Sequence, residues 1–264
     1  MNFLDQSIKS DISNLINKKL LSGRSRENEI YDLLDKNLSI NDLDFVFNSL
    51  LKSKSHLKNI GIDLPIWYGD YNSTTKTMVV ALDPKRNNQE NKDISIGSVF
   101  GLHTAEGKNT NRNDYWNFVS YLAKTGFVYL TDIYKIYYET KNEKGQNLIS
   151  NKDKSFIEKE CYQQNKSILE DEILNIVKPN QIITLGVEAA NAVKGIKKIK
   201  TNDIQFQQDG IQYIFLPHIA RTVTQSIKTI GNLYKGLGIV TRNFEIEQIG
   251  DSILERSELK KILI

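Results

Sequence analysis

The sequence has few of the residues that build disulfides and metal centres. Among its 264 residues Cys161 is the one cysteine, which excludes a disulfide, a cysteine-ligated zinc site and a cysteine-ligated iron–sulfur cluster within one chain. Of the three histidines, His56 and His103 lack partners at metal-ligand spacing. We therefore expect no metal and no cofactor, and a reducing, cytoplasmic location.

Long apolar runs and a strong charge imbalance are also missing. No run approaches the roughly 20 apolar residues of a membrane helix, and the first turns, which include Asp5, lack the apolar core of a signal peptide. The net charge of +3 gives weak support for a polyanionic partner, so a nucleic-acid site would be a local patch. We expect no membrane contact, and nothing in the sequence specifies a protein partner.

The first part of the chain has a helical pattern, and the rest has an α/β pattern. In residues 1–60, apolar side chains recur on one helical face, at Leu4, Ile8, Ile12, Leu15 and Ile16. Residues 61–75 look irregular, because they contain Pro65, Gly69 and Asn72. We predict a helical N-terminal extension over 1–60 and one α/β domain over 61–264.

Four short apolar runs, separated by helical patterns, predict the core of that domain. They lie at 76–82, 127–133, 181–185 and 211–216. Because they lack an alternating polar face, they are typical of parallel strands covered on both sides. Asp209-Gly210 predicts a hairpin between 204–207 and the fourth run. The predicted fold is a three-layer α/β/α sandwich with a central, mainly parallel four-stranded sheet.

Polar groups or a glycine follow each predicted strand, at Asp83, Asp132, Gly186 and His218. Ligands bind beyond the carboxyl ends of parallel strands, so these positions should converge on one edge of the sheet. Two structural explanations compete with a functional one. Asp83-Pro84 is also a plain strand-ending turn, and His218 is equally suited to a structural hydrogen bond.

Five short motifs occur in an order that resembles the uracil-DNA glycosylase superfamily over roughly residues 60–240. The motifs are Leu82-Asp83-Pro84, which resembles Gln-Asp-Pro, Ile96 to Gly101, Tyr129 to Lys135, Ile183 to Ala190 with a Leu-Gly-x-x-Ala pattern, and Leu216-Pro217-His218, which resembles the start of His-Pro-Ser. The chain lacks the cysteines of the iron–sulfur branches. The resemblance implies removal of a base after it is extruded from the DNA stack.

The resemblance also implies roles for individual residues. Asp83 would position water or stabilise the cationic sugar, and His218 would stabilise charge on the departing base. Phe100 would stack on the base, with Leu82 and Asp132 completing the base site. An ionised aspartate only accepts hydrogen bonds, so Asp132 suits a base edge that presents N–H groups, and the identity of the base stays open.

A third set of residues would contact the phosphates of DNA. Gly186 allows a phosphate to approach the backbone amides, and the others are basic or hydroxyl side chains: Lys85, Arg86, Arg221 and Thr222. A solvated basic surface is the competing explanation for the charged members.

Three functions follow as hypotheses. The leading one is a DNA glycosylase-like hydrolase, a repair enzyme that removes a damaged, deaminated or modified base by cleaving its N-glycosidic bond. The alternative is a catalytically inactive protein of the same fold that binds nucleic acid or a nucleobase. A third is an enzyme acting on free nucleosides or nucleotides, which would need no continuous basic groove.

Overall fold

The computed structural model describes residues 6–19, 60–82, 94–102, 113–137, 163, 165–201, 203 and 205–216. These residues form an α/β structure with a six-stranded sheet and a three-stranded sheet. The strands are β1 (Ile60–Asp63), β2 (Ile66–Tyr68), β3 (Lys76–Ala81), β4 (Ile94–Gly97), β5 (Phe127–Asp132), β6 (Ile136–Tyr137), β7 (Gln181–Leu185), β8 (Gln205–Gln208) and β9 (Ile211–Leu216).

The large sheet is mixed, with the order β2-β5-β3-β7-β9-β8. Its four central strands are the four apolar runs of the sequence, and they pair in parallel. The edge strands β2 and β8 pair antiparallel to β5 and β9. The prediction of a four-stranded sheet is therefore wrong, because the sheet has six strands and its two edge strands are antiparallel to their neighbours. The predicted hairpin between β8 and β9 is confirmed.

The small sheet has the order β4-β1-β6, with β1 parallel to β4 and antiparallel to β6. Its strand β1, together with β2, occupies residues that the sequence predicted to be irregular, so that prediction is wrong. The strands span four and three residues, too few for an alternating pattern to be recognised. Their partners are also distant in sequence, because Ile60 pairs with Ile94 and Ile66 with Leu130.

Helices cover both faces of the large sheet. They are α1 (Gln6–Lys19), α2 (Asn113–Thr125), α3, which is α-helical over 165–171 and π-helical over Glu172–Val177, and α4 (Val187–Lys197). Apolar residues of α2 pack on one face, against Val79 and Leu130. Residues of α1, α3 and α4 share a core on the other face, with Met78 and Tyr129. The predicted helix in 1–60 is confirmed for α1, and the domain boundary at 60 stays a prediction.

The order of the parallel strands reverses between β3 and β7. From β3 the chain passes to β5 on one side and then crosses to β7 on the other, before continuing outward to β9. Such a reversal splays the connections that leave neighbouring strands and opens a crevice at their carboxyl ends. Leu82 follows β3 and Gly186 follows β7, so these two residues lie at the carboxyl ends of the two strands between which the order reverses.

Gly69 and Gly126 lie back to back where β2 and β5 meet. Gly69 has a φ of +86°, and a Cβ atom there would collide with the carbonyl oxygen of Gly126. We expect Gly69→Ala to lower the free energy of unfolding by about 1–3 kcal/mol. Gly195→Ala is the control, because a Cβ there meets nothing within 4 Å, and it should raise stability by about 1 kcal/mol. Urea unfolding measures both, and equal effects would contradict the close approach.

Candidate functional site

The strands β3 and β5 stay joined beyond their carboxyl ends. The register pairs Ala81 with Asp132. Past that pair, the amide of Ile133 donates to the carbonyl of Ala81 at 3.0 Å, and the amide of Tyr134 donates to the carbonyl of Leu82 at 3.1 Å. Leu82 and Asp132, both predicted base-binding residues, therefore lie within one register position of each other at the carboxyl edge of the large sheet.

The strands β7 and β9 are joined in a similar way by Gly186. Its amide donates to the carbonyl of Leu216 at 2.8 Å, and its φ of +99° turns the chain from β7 into α4. A side chain is disfavoured at such a φ, whereas glycine adopts it freely. The predicted phosphate-contacting glycine thus lies beside the end of β9, directly before Pro217-His218 in the sequence.

Phe100 lies in a tight 3-10 turn, Val99–Gly101, and its backbone is left-handed, with φ +57° and ψ 7°. Its side chain is 7% exposed and belongs to the apolar cluster that includes the last residues of three strands, Ala81, Leu185 and Leu216. The structure thus brings Phe100 to the carboxyl edge. A non-glycine residue in this conformation costs about 1–3 kcal/mol, and such strain concentrates at functional sites.

A buried ionic network lies at the carboxyl end of β5. Lys135 is fully buried, and its Nζ lies 3.0 Å from Oδ2 of Asp63 and 3.1 Å from Oε1 of Glu172. Lys135 also contacts the hydroxyl of Thr131. The same Oδ2 of Asp63 accepts the amide of Asp132 at 3.1 Å. The network therefore connects the small sheet and α3 to the predicted base-binding Asp132.

Hydrogen bonds from β5 and α3 complete this network. Glu172 accepts the hydroxyl of Tyr129 at 3.0 Å and that of Thr131 at 3.0–3.1 Å. The side chain of Asn165 accepts the amide of Lys135 at 2.9 Å. Glu172 is also the first residue of the π-helical segment, a geometry that occurs frequently at functional sites. Buried charges need partners of this kind to offset lost hydration.

Burial and ion pairing together shift the pKa values of the three charged residues of the network. Burial raises the pKa of Asp63, although Lys135 and the amide of Asp132 oppose the shift. Burial likewise raises the pKa of Glu172 against the attraction of Lys135. For Lys135, burial favours the neutral amine, but Glu172 and Asp63 together outweigh it and hold the pKa above its ordinary value. The network therefore favours the charged form of Lys135 and disfavours ionisation of Asp63 and Glu172 relative to exposed carboxyl groups.

Sequence reasoning missed Asp63 and Glu172 and did not predict the burial of Lys135. The basic and aromatic mixture that begins at Tyr134 and Lys135 suits a nucleic-acid surface or an ordinary amphipathic one, but Lys135 is fully buried. Glu172 had a recognisable signal, because it is four residues from both Ile168 and Ile176 on the apolar side of its helix. Asp63 was missed because it lies in β1, a strand that the sequence pattern did not predict.

Six predicted site residues lie outside the described residues. They are the catalytic candidates Asp83 and His218 and the phosphate-contacting candidates Lys85, Arg86, Arg221 and Thr222. In the part of the chain that is described, no three acidic, histidine or cysteine side chains are grouped to hold a metal ion. Over those same ranges, no helix is both long enough and apolar enough to cross a membrane.

The raised pKa of Asp63 predicts a pH-dependent stability. Below its ordinary value of 3.8, Asp63 is protonated in both the folded and the unfolded chain. As pH rises, the unfolded chain loses this proton first, so the folded state loses stability until Asp63 ionises there too. We expect wild type to lose stability relative to Asp63→Asn as pH rises from below 3.8 towards neutrality. Urea unfolding across this range checks it, and an opposite slope would mean that Lys135 outweighs burial.

The sequence matches no model of a known protein family, and no curated protein matches it. The chemistry of the carboxyl edge is therefore taken from its own residues. Leu82 and Gly186 are half-buried and supply apolar surface and backbone that a ligand can approach. Phe100 and Asp132, which contribute an aromatic ring and a carboxyl group at the same edge, are buried. Together these groups suit a flat, partly apolar ligand with hydrogen-bonding atoms at its rim.

Proposed function

We propose that the carboxyl edge between β3 and β7 binds an extruded nucleobase and that the protein is a DNA N-glycosylase of the uracil-DNA glycosylase superfamily. One observation carries the proposal: the strand order reverses between β3 and β7, and Leu82, which directly precedes Asp83 in the sequence, follows β3 at that point. Ligand sites of open parallel sheets lie at such reversals.

The surrounding residues support a base rather than another ligand. Phe100 provides an aromatic ring in the cluster below the strand ends, and aromatic rings stack on bases regardless of sequence. Asp132 is held level with Leu82 by the pairing of β3 and β5. Asp83 and His218, which follow β3 and β9 in the sequence, supply the charges that cleavage needs.

In this proposal each residue has one task. Asp83 stabilises the positive charge that develops on the sugar as the N-glycosidic bond breaks, and His218 stabilises negative charge on the leaving base. Phe100 stacks on the base, while Leu82 and Asp132 contact its rim. The remaining residues contact phosphates and position the DNA. They are Lys85, Arg86, Gly186, Arg221 and Thr222.

An alternative is recognition of a base without turnover. Leu82 favours it, because its half-buried side chain packs against the core. The residue directly before Asp83 in the sequence is thus apolar, where a hydrolytic site gains from a polar group that positions water. A protein of this kind binds modified DNA and releases no base.

The test is base release from single- and double-stranded oligonucleotides that carry uracil, hypoxanthine, xanthine or modified cytosines. Release of one base, together with weaker binding at higher salt, would support the glycosylase. Binding without release on every oligonucleotide would favour the recognition protein. Cleavage of free nucleosides with no oligonucleotide binding would overturn both and favour a small-molecule enzyme.

A further inference from the structure

The turn that carries Phe100 is held at both of its ends by the strands β1 and β2 and their connection. At the start of the turn, the carbonyl of Gly97 accepts the amide of Leu64 at 2.9 Å. At its end, the carbonyl of Leu102 accepts the hydroxyl of Tyr68 at 2.9 Å, and this hydrogen bond is buried. The sequence pattern predicted neither strand, so none of their residues was a candidate for the site.

The turn itself is tight and has an unfavourable backbone conformation. The amide of Gly101 donates to the carbonyl of Ser98 at 2.8 Å, and Phe100 and Gly101 both have a positive φ, of +57° and +69°. Glycine adopts such a φ freely, whereas phenylalanine is disfavoured there. A residue keeps this kind of conformation only where the surrounding contacts determine it. The hydrogen bonds at the two ends of the turn are contacts of that kind.

The ring of Tyr68 packs in the same apolar cluster as Phe100. That cluster also contains Val99 and Leu102 of the turn. The Tyr68 ring meets the ring of Trp116 on α2 edge to face, with the ring centroids 5.1 Å apart and an interplanar angle of 70°, a favourable arrangement for two aromatic rings. This packing fixes the Tyr68 ring, and its hydroxyl therefore holds the carbonyl of Leu102 in one place.

The position of the turn matters because Phe100 is only 7% exposed. A ligand can meet little of such a side chain, and a gap of about 0.5–1 Å already loses a quarter to a half of the attraction between two atoms. Tyr68 also connects the turn to the rest of the site, because it pairs with Val128 on β5, the strand that ends at Asp132. The depth of the ring and its distance from Asp132 thus both depend on Tyr68.

We propose that Tyr68 is a positioning residue of the base site, whose hydroxyl holds the turn 98–102 where the Phe100 ring can stack on an extruded base. Tyr68 acts through Phe100 and does not touch the base. Its role at the base rests on the proposed function, whereas its hold on the turn is independent of it. Two experiments separate these parts.

Amide hydrogen exchange of the full chain tests the hold on the turn without a ligand. Tyr68→Phe keeps the ring and removes the hydroxyl, so peptides that contain residues 99–102 should exchange about two- to tenfold faster. Tyr71→Phe is the matched control, because the Tyr71 hydroxyl donates to the carbonyl of Ile176 at the same distance, 2.9 Å. The control should leave these peptides unchanged. Unchanged exchange in Tyr68→Phe, or equal acceleration by both variants, would overturn the proposal.

A double-mutant cycle tests the role at the base. The probes are the oligonucleotides that carry uracil, hypoxanthine, xanthine or a modified cytosine, and binding is expressed relative to the same oligonucleotide with an unmodified base. Tyr68→Phe should weaken binding of the best probe about two- to tenfold. In a Phe100→Leu background the same change should have no further effect, because the ring that Tyr68 positions is gone.

An equal loss of binding in both backgrounds would mean that Tyr68 acts on the whole structure and not through Phe100, and it would overturn the proposal. Tyr71→Phe should leave binding unchanged in either background. Failure of all the oligonucleotides to bind would overturn the proposed function and with it the role of Tyr68 at the base. The exchange experiment would then decide the hold on the turn by itself.

Discussion

Replacing Lys135 by methionine is expected to lower the free energy of unfolding by about 3–5 kcal/mol. The substitution keeps much of the side-chain volume and removes the cation 3.0 Å from Asp63 and 3.1 Å from Glu172. Both carboxyl groups are then buried without a partner of opposite charge. Since a domain is stable by about 5–15 kcal/mol, the variant should unfold at a far lower urea concentration.

Lys19→Met is the matched control for this prediction. Lys19 forms an ion pair with Asp171, the residue before Glu172, but both side chains are partly exposed. Exposed pairs contribute about 0–1 kcal/mol, so this variant should lose little. A triple variant, Lys135→Met with Asp63→Asn and Glu172→Gln, should recover much of the lost stability, because no buried charge is left over. Equal losses for Lys135→Met and Lys19→Met would contradict the buried network.

Asp83→Asn is expected to reduce base release by about 100-fold or more while DNA binding survives. The amide is nearly the same size as the carboxylate and lacks the negative charge that the cationic sugar requires. Single-turnover release and equilibrium binding, measured on the same oligonucleotide, separate the two effects. An unchanged rate of base release would show that Asp83 takes no part in cleaving the N-glycosidic bond.

The control for Asp83→Asn is Asp70→Asn. Asp70 is an exposed carboxylate in the turn before β3, and it therefore lies at the opposite end of that strand. Its replacement should change neither release nor binding. Equal losses in the two variants would indicate a general effect of charge on DNA binding.

The central strands were predictable because each one is a short apolar run that can be recognised without knowing its partner strand. Residues 181–185 and 211–216 are apolar runs with clear polar limits, and the strands have those same bounds. Because parallel strands end at a common edge, the placing of Asp132 and Gly186 at that edge followed from the runs alone. The six-stranded sheet did not follow, because β2 is three residues long and pairs with a strand about 60 residues away.

The buried network was not predictable from local pattern. Asp63 and Lys135 are 72 residues apart in the chain, and each looks like an ordinary polar residue beside apolar neighbours. Their contact depends on β1 and β6 forming a second sheet, and strands of four and two residues leave little periodic signal. Only Glu172, on the apolar side of its helix, departs from the local pattern enough to be noticed.

The most direct test of the proposed base site is amide hydrogen exchange of Asp83→Asn protein with and without its best-binding oligonucleotide. Using this variant keeps the base attached during the measurement. The account predicts slower exchange in peptides that contain Leu82, Phe100 and Gly186, with little change around Lys76 and Lys178 at the opposite edge. Protection confined to that opposite edge, or no binding by any oligonucleotide in the panel, would contradict a base site between β3 and β7.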